Sequence, residues 1–189
     1  MRVIIATRIY APEPGAAAQR LTALAAHLAD QGHDVEVLTA RVPKALRGTE
    51  REHPGVRVRR AQVLRDRDGF VRGYLPYLSF DIPLVWRLIT AKRADVIVVE
   101  PPPTTGAAVR TVARLRGIPA VYYAADILAD AAASAGIAAP IVRAVRRLER
   151  YVWKGCAALL AVSEPVAERL RELGVPAERV RLVGNGTDT

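Results

Sequence analysis

Short apolar runs alternate with longer helical segments along most of this chain, and that alternation constrains the fold more than any other feature. The strand-like runs are Arg2 to Ile9, Val35 to Thr39, Val56 to Ala61, Val96 to Val99, Ala120 to Ala124, Ala157 to Val162 and Val180 to Val183. Most are separated by helical patterns of roughly ten to seventeen residues. Parallel strands need a crossover of about that length, which a hairpin turn cannot supply. The expected fold is therefore α/β, a Rossmann-like parallel sheet of about seven strands with helices on both faces.

Local signals place the helices. Leu21, Leu24, Ala25 and Leu28 share one helical face, and Gln31-Gly32-His33 stops it. Residues 62 to 74 are charged and irregular. Leu75 to Ala91 is mixed apolar with Trp86, and a helix is expected after Pro83, because proline interrupts the turn before it. Thr104 or Thr105 is expected to cap a helix that ends at Arg116-Gly117. Ile141 to Trp153 reads as a basic amphipathic helix. Ser163 is expected to cap a helix with Val166, Leu170 and Leu173 on one face, stopped by Gly174. With no internal repeat or low-complexity linker, the 189 residues read as a single domain.

Composition narrows the classes. The chain is 51% hydrophobic but only 5% aromatic, which suits a helix-rich α/β domain better than a β-sandwich. Its net charge of +9 suits nucleic acid, an anionic membrane surface or phosphorylated substrates, or reflects the habit of a GC-rich genome. No dense basic run marks a nucleic-acid site, and no nucleic-acid partner is expected. Cys156, the one cysteine, lies in an apolar run and reads as a small buried hydrophobe of a cytosolic protein. His27, His33 and His53 share no ligand spacing with it, so no metal or resident cofactor is expected. The first apolar run is too short for a signal sequence, and no window supplies the ~20 apolar residues of a spanning helix. The expected location is cytoplasmic, with peripheral contact at the inner face of a membrane left open.

In an open parallel sheet, ligands bind beyond the carboxyl ends of the strands. After the first strand stands Glu13-Pro14-Gly15-Ala16-Ala17-Ala18-Gln19-Arg20. Gly15 either turns a tight corner or lets an anion approach a helix N-terminus. The loop lacks the three spaced glycines of a dinucleotide fingerprint, and no Gly-Lys-Ser/Thr phosphate loop occurs. Glu100 precedes three prolines and reads as a ligand for a sugar hydroxyl or as a cap. Asp126 follows Tyr122-Tyr123-Ala124-Ala125 and reads as a proton acceptor for a hydroxyl nucleophile or as a helix cap. Asp130 is expected on a solvated turn. Ser163-Glu164 and Asn185-Gly186 complete the rim. Arg143, Arg146, Arg147 and Arg150 form a solvated helix face or a membrane-facing patch. Phe70, Tyr74, Tyr77, Phe80 and Trp86 near Arg65, Arg67 and Arg72 suit an interface, a lipid acceptor or a core helix.

The loops taken in order resemble a known family. Pro12-Glu13-Pro14-Gly15-Ala16-Ala17-Ala18-Gln19-Arg20, then Gln31-Gly32-His33-Asp34-Val35-Glu36-Val37-Leu38-Thr39, then the Ser163-Glu164-Pro165 helix and the closing Gly174 to Asp188 stretch are similar to the N-terminal half of retaining glycosyltransferases of family 4, which have the two-domain GT-B fold. The similarity spans nearly all 189 residues. It implies an acceptor-side domain whose donor-binding C-terminal partner domain is absent from this chain. By the same resemblance, Gly15 and Ala16 lie beside the donor diphosphate and Gln19 and Arg20 start the helix below it. Asp126 matches a position near the reacting hydroxyl, as base or as acceptor-positioning group. Asn185-Gly186 corresponds to an interdomain hinge. Many relatives carry two adjacent glycines in the first loop where this chain has one, and Asp126-Ile127-Leu128-Ala129 replaces the Asp-Leu-Trp-Pro of some.

The resemblance implies transfer of a sugar from a nucleotide-diphosphate donor to an acceptor hydroxyl, a lipid-linked one being left open, with the fragment alone inactive. Two rivals are a GT-B-fold sugar-nucleotide epimerase, disfavoured by the poor histidine supply, and a non-catalytic module that recruits an enzyme to a membrane.

Overall fold

A computed structural model describes residues 1–67, 69–71 and 73–184. Seven parallel strands form one sheet in the order β3-β2-β1-β4-β5-β6-β7. They are β1 (Arg2–Ala6), β2 (Asp34–Ala40), β3 (Val56–Ala61), β4 (Val96–Val99), β5 (Ala120–Ala124), β6 (Ala158–Ala161) and β7 (Val180–Leu182). The helices are α1 (Ala16–Asp30), α2 (Tyr74–Thr90), α3 (Pro103–Arg116), α4 (Leu128–Ser134), α5 (Ala139–Gly155) and α6 (Glu164–Glu172). Strand order reverses between β1 and β4, so the loops that leave those two strands diverge and open a crevice at their carboxyl ends.

Alternation along the strands sorts two cores. On one face, Val3 and Ile5 of β1 and Val35 and Val37 of β2 pack with Leu21 and Ala25 of α1 and with Tyr10. On the other, Ile4, Leu38, Ile97 and Val99 pack with Phe80, Leu84 and Leu88 of α2, Val109 and Val112 of α3, Val152 and Trp153 of α5, and Leu170 of α6. Cys156 joins this second core at 2% exposure, and burial pushes its thiol pKa up to about 12.

Several local expectations are corrected. The first strand stops at Ala6 rather than Ile9, because the Thr7 hydroxyl accepts the Ile9 N–H at 3.2 Å and folds the chain into the rim. Helix α2 begins at Tyr74 and runs through Pro83 instead of starting after it. Interior proline costs about 3 kcal/mol. Phe80, Leu84 and Leu88, fully buried on both sides of it, each return about 1.5–3 kcal/mol. Neither Thr104 nor Thr105 caps α3: Pro102 holds that position, and the Thr105 hydroxyl donates to buried Asp81 of α2 at 2.6 Å. Ser163 occupies the cap position of α6, but its side chain makes no cap hydrogen bond.

Candidate functional site

Three loops meet at the carboxyl edge where the strand order reverses. The loop after β1 reaches α1 through Gly15, whose φ of 144° lies where residues with a Cβ are strained. An added Cβ would also stand 3.4 Å from Ile9 Cδ1. Gly15, Ala16 and Gln19 are exposed. No side chain caps α1, so its first N–H groups face the rim. The loop is braced from outside: Arg65 grips the buried Glu13 carboxylate with both terminal nitrogens, at 2.9 and 3.0 Å, and donates to the Gly69 and Arg41 carbonyls.

Beneath this loop, Glu100 follows β4 and is 3% exposed. It caps no helix. Its Oε1 lies 2.5 Å from Thr7 Oγ1. Burial pushes its pKa up to about 7; the Thr7 bond, Arg20 and Arg8 oppose the shift, and Asp126 adds to it. The Thr7 hydroxyl donates to Glu100 Oε1, and its Oγ1 also stands 2.8 Å from the Ile9 carbonyl, so one hydrogen serves two acceptors.

Asp126 follows β5 and is exposed at the rim. It does not cap α4, where the cap position falls to Ile127. Partial desolvation raises its pKa, and the Arg20 guanidinium opposes this. Arg20 thus acts on Glu100 and Asp126 together, and it also lies 5.2 Å over the Tyr123 ring. The Tyr123 hydroxyl donates to the Gly184 carbonyl at 3.3 Å, bringing the end of β7 to the same edge. Arg20 thus opposes the raised pKa values of two carboxyls at one sheet edge, with Arg8 acting on Glu100 as well, and such clustered shifts mark a candidate site.

Other expected residues fall elsewhere. Glu164 pairs with Arg171 at 3.0 Å on the surface. Asp130 sits within α4, not on a solvated turn, and binds both Arg146 and Arg169. Asn185 and Gly186, the expected hinge, lie outside the described residues.

Sequence reading missed three contributors. Arg8 stacks 4.2 Å over Tyr77 and donates to the Val71 carbonyl at 2.7 Å, lining a cleft of about 210 Å³ with Ile9, Glu13, Phe70 and Val71. Thr7 had no signal of its own. Glu149 did: it stands on the apolar side of α5, between Val145 and Val152, where a charge needs a partner. Its Oε1 accepts the Ala129 N–H at 3.3 Å and so caps α4, directly after Asp126. Glu149→Ala leaves that N–H unpaired and should cost about 1–3 kcal/mol. Glu149→Gln keeps the acceptor and should cost little. Thermal melts of the two variants check this, and equal losses would remove the capping role.

A family model described as a glycosyl transferase 4-like domain matches residues 15–186. This chain belongs to that family. No curated protein matches it in sequence. Among solved structures, HepE of Anabaena in complex with UDP and glucose is 20% identical with a TM-score of 0.65, over 100% of this chain and 45% of that one. Sucrose-phosphate synthase from Thermosynechococcus elongatus is 14% identical with a TM-score of 0.73, over 99% and 48%. The UDP-GlcNAc 2-epimerase of Neisseria meningitidis bound to UDP-GlcNAc is 15% identical with a TM-score of 0.63, over 98% and 46%. The glycosyl transferase 4-like domain therefore has the fold of a GT-B N-terminal half and spans about half the length of these structures.

Proposed function

We propose that this domain is the acceptor-side half of a retaining glycosyltransferase that moves a sugar from a nucleotide-diphosphate donor to an acceptor hydroxyl. The observation that carries the reading is the placement of Arg20, Glu100 and Asp126 around one crevice at the strand-order reversal. Family membership supports it, as do similar structures that hold UDP or a UDP-sugar. In this scheme the open N-terminus of α1, behind Gly15 and Ala16, faces the donor diphosphate, and Arg20 adds positive charge as the leaving group departs. Gln19 and Ser163 stand at the outer rim, while Glu164 is engaged by Arg171. Asp126 receives or orients the acceptor hydroxyl.

The test is product analysis with the complete protein, a nucleotide sugar and a hydroxyl acceptor. Proton NMR should show a glycoside with the donor's anomeric configuration. Residues 1–189 alone should give no product. An altered free sugar nucleotide with no glycoside would establish the epimerase instead, and transfer by the fragment alone would overturn the two-half scheme.

A further inference from the structure

Many arginines of this chain are engaged. Arg2 and Arg59 meet Glu36, and Arg146 and Arg169 meet Asp130. Arg93, Arg116 and Arg179 donate to carbonyls at the ends of α3, α2 and α5. One group of cations differs. Arg41, Lys44, Arg47, Arg65 and Arg67 line a cleft of about 390 Å³, with Asp66 among them. The chain path gathers them. β2 and β3 pair in register as far as Ala40 and Ala61, and the Arg41 N–H donates to the Ala61 carbonyl at 2.7 Å, so the two chains leave the sheet side by side. After Pro43 the first makes a single 3₁₀ turn, Lys44–Leu46, with Arg47 just behind it. The second turns back at Gly69, whose φ of 84° suits glycine, and the Phe70 N–H donates to Asp66 at 2.8 Å.

Arg65 forms a wall of this cleft, because Glu13 and the Gly69 and Arg41 carbonyls hold its guanidinium. The other four cations are exposed, and among the described residues no hydrogen bond or ion pair engages their charged ends. Two acids act on them: Asp66 in the cleft, and Glu50 within reach of the Arg47 charge. Four cations against two carboxylates leave two positive charges uncompensated. Asp68 and Arg72, opposite in sign, lie outside the described residues. Like charges around one concave volume repel, and the repulsion falls when an anion enters between them. Two charges suit a phosphate, at about −1.5 to −2 near neutral pH, better than a lone carboxylate. Guanidinium forks also match phosphate oxygens two at a time.

The cleft shares an edge with the crevice. All strands are parallel and β3, β2, β1, β4 and β5 lie side by side, so Asp126 and the cleft both stand at carboxyl ends. A strand spacing of about 4.8 Å puts the ends of β2 and β3 about 14–19 Å from the end of β5. Between them lies the loop after β1, where exposed Gly15 and Gln19 offer polar partners rather than an apolar track. That suits a polyhydroxylated chain. We propose that this cleft is a subsite for a phosphate group on an extended saccharide acceptor, with Arg41, Lys44, Arg47 and Arg67 holding the phosphate while Asp126 meets a hydroxyl at the far end. This rests on the proposed function and adds the class of acceptor. A single phosphorylated sugar is too short to fill both places.

Proton–nitrogen NMR of the 189-residue chain tests this. Glucose 1-phosphate should shift the backbone amides of Arg41, Lys44, Arg47 and Arg67 saturably. Glucuronate should bind there at least about fivefold more weakly, and glucose should shift none of them. Maltotetraose 1-phosphate should shift the same amides and that of Asp126 as well. Lys44→Gln with Arg47→Gln should weaken glucose 1-phosphate binding at least about tenfold, while Arg147→Gln on α5 changes it less than about twofold. All substituted side chains are exposed, so circular dichroism should show an unchanged fold. No shift with glucose 1-phosphate would overturn the proposal, as would equal affinity in the Lys44→Gln, Arg47→Gln variant. Cleft shifts with maltotetraose 1-phosphate but none at Asp126 would mark a site for free phosphate and overturn the acceptor assignment. Because binding is read without any transfer assay, its failure leaves the proposed reaction standing, and the reverse holds too.

Discussion

On the proposed function, Asp126→Ala should lower sugar transfer by the complete protein about 10²- to 10⁴-fold, the range a positioned acid–base group contributes. Stability should hardly move. The residue is exposed and caps no helix, and surface substitutions of that kind stay within about 0.5 kcal/mol. Asp126→Asn separates the two roles open to this carboxylate. If Asp126 only orients the acceptor hydroxyl, asparagine should recover much of the loss through its amide oxygen. If it takes the proton, asparagine should be as poor as alanine. The pH profile adds a check. Desolvation raises the Asp126 pKa, so the acid limb of kcat/KM should lie above the ordinary carboxylate range. Arg20 opposes that rise, so Arg20→Gln should move the limb to still higher pH. Transfer that survives Asp126→Ala within a few fold would discard the assignment.

The second large effect is thermodynamic and needs no substrate. Glu100 carries a pKa raised to about 7 in the folded chain against an ordinary value of 4.5. Below the ordinary value, both folded and unfolded chains hold the proton, and Glu100 makes no difference to pH dependence. Between the two values the unfolded chain releases its proton while the folded chain keeps it, so stability falls as pH rises. The loss is complete above the folded value and amounts to about 3 kcal/mol, from about 1.4 kcal/mol per unit. Glu100→Gln cannot ionise and should lack this fall. Urea unfolding of both proteins between pH 4 and 8, at matched ionic strength, should show the variant gaining about 3 kcal/mol relative to the parent across the range. Parallel curves would mean that Glu100 is charged in the native state.

Much of this was legible beforehand, for identifiable reasons. Strands such as Val96–Val99 and Ala120–Ala124 are compact apolar runs with punctuation on both sides, and their bounds match the reading. Their order along the chain also implied the rim on which Glu100 and Asp126 stand. What failed were the judgements that depend on tertiary partners. Pro83 looks like a helix start until Phe80 and Leu84 are seen holding the turns on either side of it. Thr105 looks like a cap until Asp81 arrives from a neighbouring helix. Asp130 looks solvated until Arg169, 39 residues away, reaches it. The charge state of Glu100 is of the same kind, since burial raises its pKa against the opposing bond from Thr7, a strand away.

The buried thiol gives experimenters a practical opening. Cys156 is the only cysteine in the chain, and at 2% exposure with a pKa near 12 it has almost no thiolate to offer an alkylating probe at neutral pH. A cysteine introduced at exposed Gln19 would then be the one reactive sulfur without removing anything native. A spin label or fluorophore there would follow the rim beside Gly15 in an otherwise unaltered protein.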